Sequence, residues 1–182
     1  MSDPVSALSG VSYQGFAMVR EIGPLGMISL RAKDVKGLAK AIKAAVGVGL
    51  PGPRRIEISG ERAAGWMSPD EYLLVMPYAE TQAAMAALDK ALAGEHYLAA
   101  VVSDARAVFR VEGAKAAQVL AKLMPVDLPG MAAGELRRSR TAQVAAAVWR
   151  DGDGYTLVCF RSVAGYVMGL LTHSAMPGSE LV

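Results

Sequence analysis

The residues able to do chemistry are few and far apart. Cys159 lies in YTLVCF, where strand alternation puts it on one face with Tyr155 and Leu157, the surroundings of a small core hydrophobe. His96 and His173 stand outside any nucleophile motif. Two histidines and one cysteine at these positions make no metal-ligand spacing. No G-x-S-x-G elbow and no phosphate-binding lysine loop occurs. The expectation is therefore no catalytic residue and no metal ligand.

Two short motifs look sharper than they are. GVGLPG (47–52) matches G-x-G-x-x-G, but a dinucleotide site needs that motif after a strand and opening a helix. Here it follows helical periodicity and runs into Pro51 and Pro53, so it reads as a loop. DGDG (151–154) offers Asp151 and Asp153 without the further ligands of a calcium loop, and Asp-Gly between alternating segments is a hairpin signal. Arg137, Arg138 and Arg140 form the densest basic cluster, after LPGMAAGE. Such a run is most often a solvated face; the sharper alternative is a partner or anion site, for which Arg is the favoured residue. Arg106, Arg110 and Arg161 could contribute, with no geometry fixed by the sequence.

The elements that would position these residues follow from periodicity. Strands are predicted over Gly26 to Ala32, Arg55 to Ser59, Tyr72 to Pro77, Ala107 to Val111, Gln143 to Trp149 and Tyr155 to Phe160. Helical spacing of Val35, Leu38, Ala39, Ile42 and Val46 predicts one helix, and Ala84, Leu88 and Leu92 a second over about 79–92. Val119, Leu120, Leu123 and Met124 predict a third, ending near Pro125, and Val163, Tyr166, Val167, Leu170 and Leu171 a fourth. WMSPDEYLLV (66–75) returns as WRDGDGYTLV (149–158) at an offset of 83 residues. Met27 and Ile28 map to Arg110 and Val111 at the same offset, so strand, helix and hairpin are expected to keep register.

The fold class expected is α+β: two similar β-α-β-β-α units packed into one compact body. The first spans 25–100, the second 101–182, and residues 1–24 form an N-terminal arm over this body or another chain. Trp66, Trp149, Tyr72 and Tyr155 are expected at equivalent structural positions in the two halves.

Composition narrows the function classes. The chain has 182 residues and a formal charge of +2, which gives no support to nucleic-acid binding. Hydrophobic residues make up 53%, a figure swollen by 32 alanines against 11 aromatics. One cysteine fits a reducing compartment. No leader pattern or membrane-length apolar run occurs, so a cytoplasmic, soluble protein is expected.

Taken together, LPGP (50–53), WMSPDEYLLV (66–75), SDARAVFRVEGAKAAQVLAKLMPVDL (103–128) and CFRSVAGYVMGLL (159–171) resemble the gamma subunit of heterotetrameric sarcosine oxidase. The resemblance covers most of the chain, in order. It implies a non-catalytic accessory subunit of a bacterial flavoenzyme that oxidises sarcosine to glycine with oxygen, yields hydrogen peroxide, and passes the methyl carbon to tetrahydrofolate. It implies partners in the alpha, beta and delta subunits, alpha foremost. FAD, FMN, NAD and folate sites would lie on alpha and beta and zinc on delta, with no cofactor on this chain. The fold is also related to the folate-binding domain of aminomethyltransferases, which supplies an alternative: a stand-alone folate-binding module. No folate-contacting residue can be matched, and the K-G-C-Y-x-G-Q-E signature of related iron–sulfur assembly proteins is missing. A plain homo-oligomeric domain is a third reading.

Overall fold

Alternating and helical apolar periods give mixed α/β structure with two antiparallel sheets and four helices in this computed structural model, which describes residues 4–181. The chain begins with a hairpin of β1 (Ser12–Gln14) and β2 (Met18–Ile22). Then come β3 (Leu25–Ala32), α1 (Leu38–Val46), β4 (Ile56–Ser59), β5 (Arg62–Ser68), β6 (Glu71–Pro77), α2 (Thr81–Ala91) and β7 (Tyr97–Val101). The remainder is β8 (Arg106–Glu112), α3 (Ala116–Ala121), β9 (Leu136–Thr141), β10 (Val144–Asp151), β11 (Gly154–Phe160) and α4 (Ala164–Ser174).

Two compact units result. One is Leu25–Ser103; the other joins the described N-terminal segment, as far as Pro24, to the chain from Asp104 onward. The Leu25–Ser103 sheet runs in the order β4-β5-β6-β3-β7. Its core forms where α1 sets Leu38, Ala41, Ile42 and Val46, and α2 sets Ala84 and Leu88, against Ile28, Leu30, Tyr72 and Leu74. Helix α1 stops because Gly47 takes φ +75° and sends its N–H to the Lys43 carbonyl. The GVGLPG motif therefore closes a helix, and the geometry of a dinucleotide loop is absent from it.

The other sheet runs β1-β2-β8-β11-β10-β9. Phe109, Val111, Leu157 and Val148 meet Val119 and Leu120 of α3 and Val167 and Leu171 of α4. The segment before Pro24, expected as an arm, thus supplies two strands to this unit. Glu21 anchors it: this 4% exposed carboxylate accepts from Ser6 Oγ (2.9 Å), Leu8 N (3.0 Å) and Gly10 N (2.8 Å). Arg161 adds bonds to the carbonyls of Val5 (2.9 Å) and Ser6 (3.1 Å).

Two expectations change. Each helix pair is separated by three antiparallel strands, where the β-α-β-β-α pattern has two. Strand β3 lies between β6 and β7, which follows α2 in sequence, and β8 lies between β11 and β2, which precedes β3. The constant offset also fails. Leu30 faces Tyr72 and Ile28 faces Leu74, while Val111 faces Tyr155 and Phe109 faces Leu157. Leu30, not Ile28, therefore stands where Val111 does, two residues out of the expected register. A two-residue slip keeps every side chain on its own face, so the hydrophobic pattern does not betray it.

Candidate functional site

Of the chemistry-bearing residues, the Arg-rich run is the one that reaches an open edge. Among the described residues strand β9 pairs with β10 alone, as the last strand of its sheet. The loop leading into it is fastened by Tyr155, whose hydroxyl donates to the Leu128 carbonyl (2.8 Å), and by Arg150 Nη1 on the Met131 carbonyl (2.8 Å).

Strand alternation then divides the cluster. Arg137 faces Val148, on the helix-covered side, and pairs with Glu135. Its Nη1 is buried with no hydrogen-bond acceptor among the described residues. Arg138 and Arg140 face Ala147 and Ala145 on the opposite side, and both are exposed. Arg140 Nη2 donates to Gln143 Oε1 (3.2 Å). The edge thus presents two cations on one face, with the third turned away from them.

The other arginines are occupied elsewhere. Arg110 is a clamp. Its Nη2 donates to the Asp151 carbonyl (2.6 Å), Nη1 to Thr156 Oγ1 (3.1 Å) and Nε to Glu112 Oε1 (3.2 Å). It also lies 3.7 Å from the Asp151 carboxylate and 3.9 Å from that of Asp153. A guanidinium thus sits beside both carboxylates of the DGDG turn, ground a calcium ion would need. Glu112 also binds Arg20 at 3.1 Å, and the Arg20 bond, then that of Arg110, holds its carboxyl below the ordinary value. Arg106 lies 4.3 Å from the centre of the Phe160 ring.

Cys159 belongs to the helix-covered core, and burial pushes its thiol up to about 11. Among the described residues no group of three or more His, Cys, Asp or Glu could hold a metal ion. Among them, too, no helix is long and apolar enough to cross a membrane.

A family model described as sarcosine oxidase, gamma subunit family, matches residues 31–176. The chain belongs to that family. It is 32% identical over 152 residues to the sarcosine oxidase subunit gamma of Arthrobacter sp., covering 81% of this chain and 73% of the relative. It is similar in structure to a chain of the heterotetrameric sarcosine oxidase from Corynebacterium sp. U-96 in complex with pyrrole 2-carboxylate, with a TM-score of 0.81 and 27% identity over 91% of this chain and 87% of that one. The aminomethyltransferase T of the glycine cleavage system from Bartonella henselae shares the fold: TM-score 0.63, 17% identity, 83% of this chain and 44% of that one. The span matched to the gamma family contains Arg137, Arg138 and Arg140 and both similar hairpins, whereas β1 and β2 precede it.

Proposed function

We propose that this chain is the gamma subunit of a heterotetrameric sarcosine oxidase, and that it serves the complex by holding partner surfaces without making or breaking bonds. The observation that carries this reading is the family match across residues 31–176. In support, Arg110 and Glu112 are spent on holding the DGDG turn and the strands beside it, as structural polar groups are. On this reading the complex demethylates sarcosine oxidatively to glycine, with hydrogen peroxide and methylene-tetrahydrofolate as co-products. FAD, FMN, NAD, folate and zinc sit on the alpha, beta and delta subunits, and none on this chain. The alpha subunit is the direct neighbour and the compartment is the cytoplasm. Arg138 and Arg140 supply charge-assisted contacts at the β9 edge, and Arg137 supports that edge from the other face. The two helix-covered units are taken as related copies whose registers have since diverged.

The test is a mild pull-down of the tagged chain at low expression in its host, with the masses of co-eluting chains and the visible spectrum recorded. A yellow eluate containing larger chains and oxidising sarcosine is the expected result. A colourless eluate holding this chain alone would sink the proposal. Saturable binding of tetrahydrofolate by that lone chain would move the assignment to a folate-binding module.

A further inference from the structure

The two sheets leave four edge strands, and three of them are blunted. Strand β1 has three residues, β4 has four and carries Glu57, and β9 carries Arg137, Arg138 and Arg140. Strand β7 is different. Its five residues, YLAAV, include no charge and no proline, and among the described residues it pairs with β3 alone. Leu98 is 60% exposed and Val101 43%.

The ladder shows which backbone groups point outward. Val102 N donates to the Met27 carbonyl at 2.8 Å, and Met27 faces Val102 in the continued register of Ile28 with Val101. In an antiparallel pair the groups alternate inward and outward. Residues 98 and 100 therefore spend their N–H and C=O groups on β3, and Val102 its N–H, while those of Tyr97, Ala99 and Val101 point away from it. The row of donors and acceptors at alternate residues is the template that an added strand reads.

We propose that β7 receives an extended, apolar strand from another subunit, which adds a sixth strand to the Leu25–Ser103 sheet. The inference rests on the reading that this chain works inside a complex. Backbone pairing supplies the recognition, and side chains beside Leu98 and Val101 bury apolar area. The occupant belongs to a larger chain held at further points. A five-residue edge covers only a few hundred Å² per side, well under the roughly 800 Å² per partner of a standard interface. A second copy meeting β7 alone would therefore not form a stable dimer.

Amide hydrogen exchange on the co-purified complex and on the isolated chain is the deciding measurement. Ala99 and Val101 are expected to exchange at least about 100-fold more slowly in the complex. Equal rates, with partners present, would overturn this inference and leave the accessory-subunit reading standing. Slowing that grows with concentration in the isolated chain would overturn it in favour of a second copy. Two variants give an independent readout. Ala99→Pro removes an outward N–H without touching the β3 ladder, and Leu98→Lys places a charge on the edge. Each is expected to lower partner recovery about tenfold at unchanged circular dichroism, and full recovery by both overturns the proposal. If the wild-type chain brings down no partner, the complex reading fails and this inference falls with it.

Discussion

Between Ser68 and Glu71 the first similar hairpin turns through Pro69 and Asp70; between Asp151 and Gly154 the second turns through Gly152 and Asp153. In the first, Ser68 Oγ donates to the Asp70 carboxylate at 2.8 Å, and a bulge between Trp66 and Ser68 sets Trp66 opposite Tyr72. In the second there is no bulge, and Trp149 faces Thr156 while Tyr155 faces Arg150. One extra residue sends every side chain upstream of it to the other face of the sheet. Trp66 accordingly packs half-buried beside Tyr72 on the helix-covered side. Trp149 is 5% exposed and lies outside the helix-covered cluster of its unit. The central strands β6 and β11 kept equivalent places, with Tyr72 and Tyr155 both in helix-covered cores, and the tryptophans did not.

The largest expected effect separates the two tryptophans. Trp149→Ala should cost about 3–5 kcal/mol, as truncation of a buried aromatic does, and Trp66→Ala about half of that or less. Urea unfolding monitored by circular dichroism reads both values. Equal costs would mean that the bulge does not distinguish the two positions.

The residue after each turn gives the next contrast. Gly154 occupies the place of Glu71, yet a Cβ on Gly154 would lie 2.5 Å from the Val111 carbonyl oxygen and 3.2 Å from Arg110 Nη2. Gly154→Ala should destabilise by about 2–3 kcal/mol through overpacking against backbone. Glu71→Ala instead removes polar contacts to Ser29 and Arg31, for about 1 kcal/mol. A neutral Gly154→Ala would show that the second turn relaxes as freely as the first.

Arg110 takes the place that Ser29 has in the other unit, facing Thr156 as Ser29 faces Leu73, and that exchange of hydroxyl for guanidinium defines a third test. Arg110→Met should cost about 1.5–3 kcal/mol, because the Asp151 carbonyl and Glu112 lose a charged donor. It should also change the acid response. Glu112 is held below its ordinary value of 4.5, so the stability it adds is present above about that pH and is lost as pH falls through the lowered value. The variant should lose part of this acid-side slope, measured as unfolding midpoints between about pH 3 and 6. An unchanged slope would leave Arg20 as the sole partner that matters.

What could be read beforehand follows the same physics. Strands β3, β6, β8 and β11 announce themselves because alternate or continuous apolar residues fill both sides of a central strand. Strand β9 escaped because LRRSRT, on an edge, has no apolar alternation to show, and β7 because small alanines carry little signal. The Met67 bulge was invisible, since WMSPDE and WRDGDG have equal length and differ only in how the turn is wound. The basic run was legible as three charges; its division between two faces needed the register with Ala147 and Val148. Arg110 looked like an optional contributor to a partner site, and its attachment to the DGDG turn depends on Thr156 and Asp151 being brought beside it.

The smallest effect concerns a position where the hairpins agree. Cys159 takes the place of Met76, with 3% and 1% exposure, each in the last buried step of its strand. If the two are equivalent core positions, the thiol must behave as an apolar group. Burial raises it to about 11, and the charge of Arg106 offsets this only in part. At pH 8 a thiol of that kind is about 0.1% thiolate, against roughly a quarter for an ordinary one near 8.5. Iodoacetamide should therefore label native chain at least about 100-fold more slowly than chain unfolded in urea, read by intact mass. The linkage has the matching sign: stability from the neutral thiol is complete below the unfolded value and fades as pH rises through the folded one. Rapid labelling of the native chain would mean that the end of β11 opens where the end of β6 stays closed, and the parity of the two central strands would fail at its last residue.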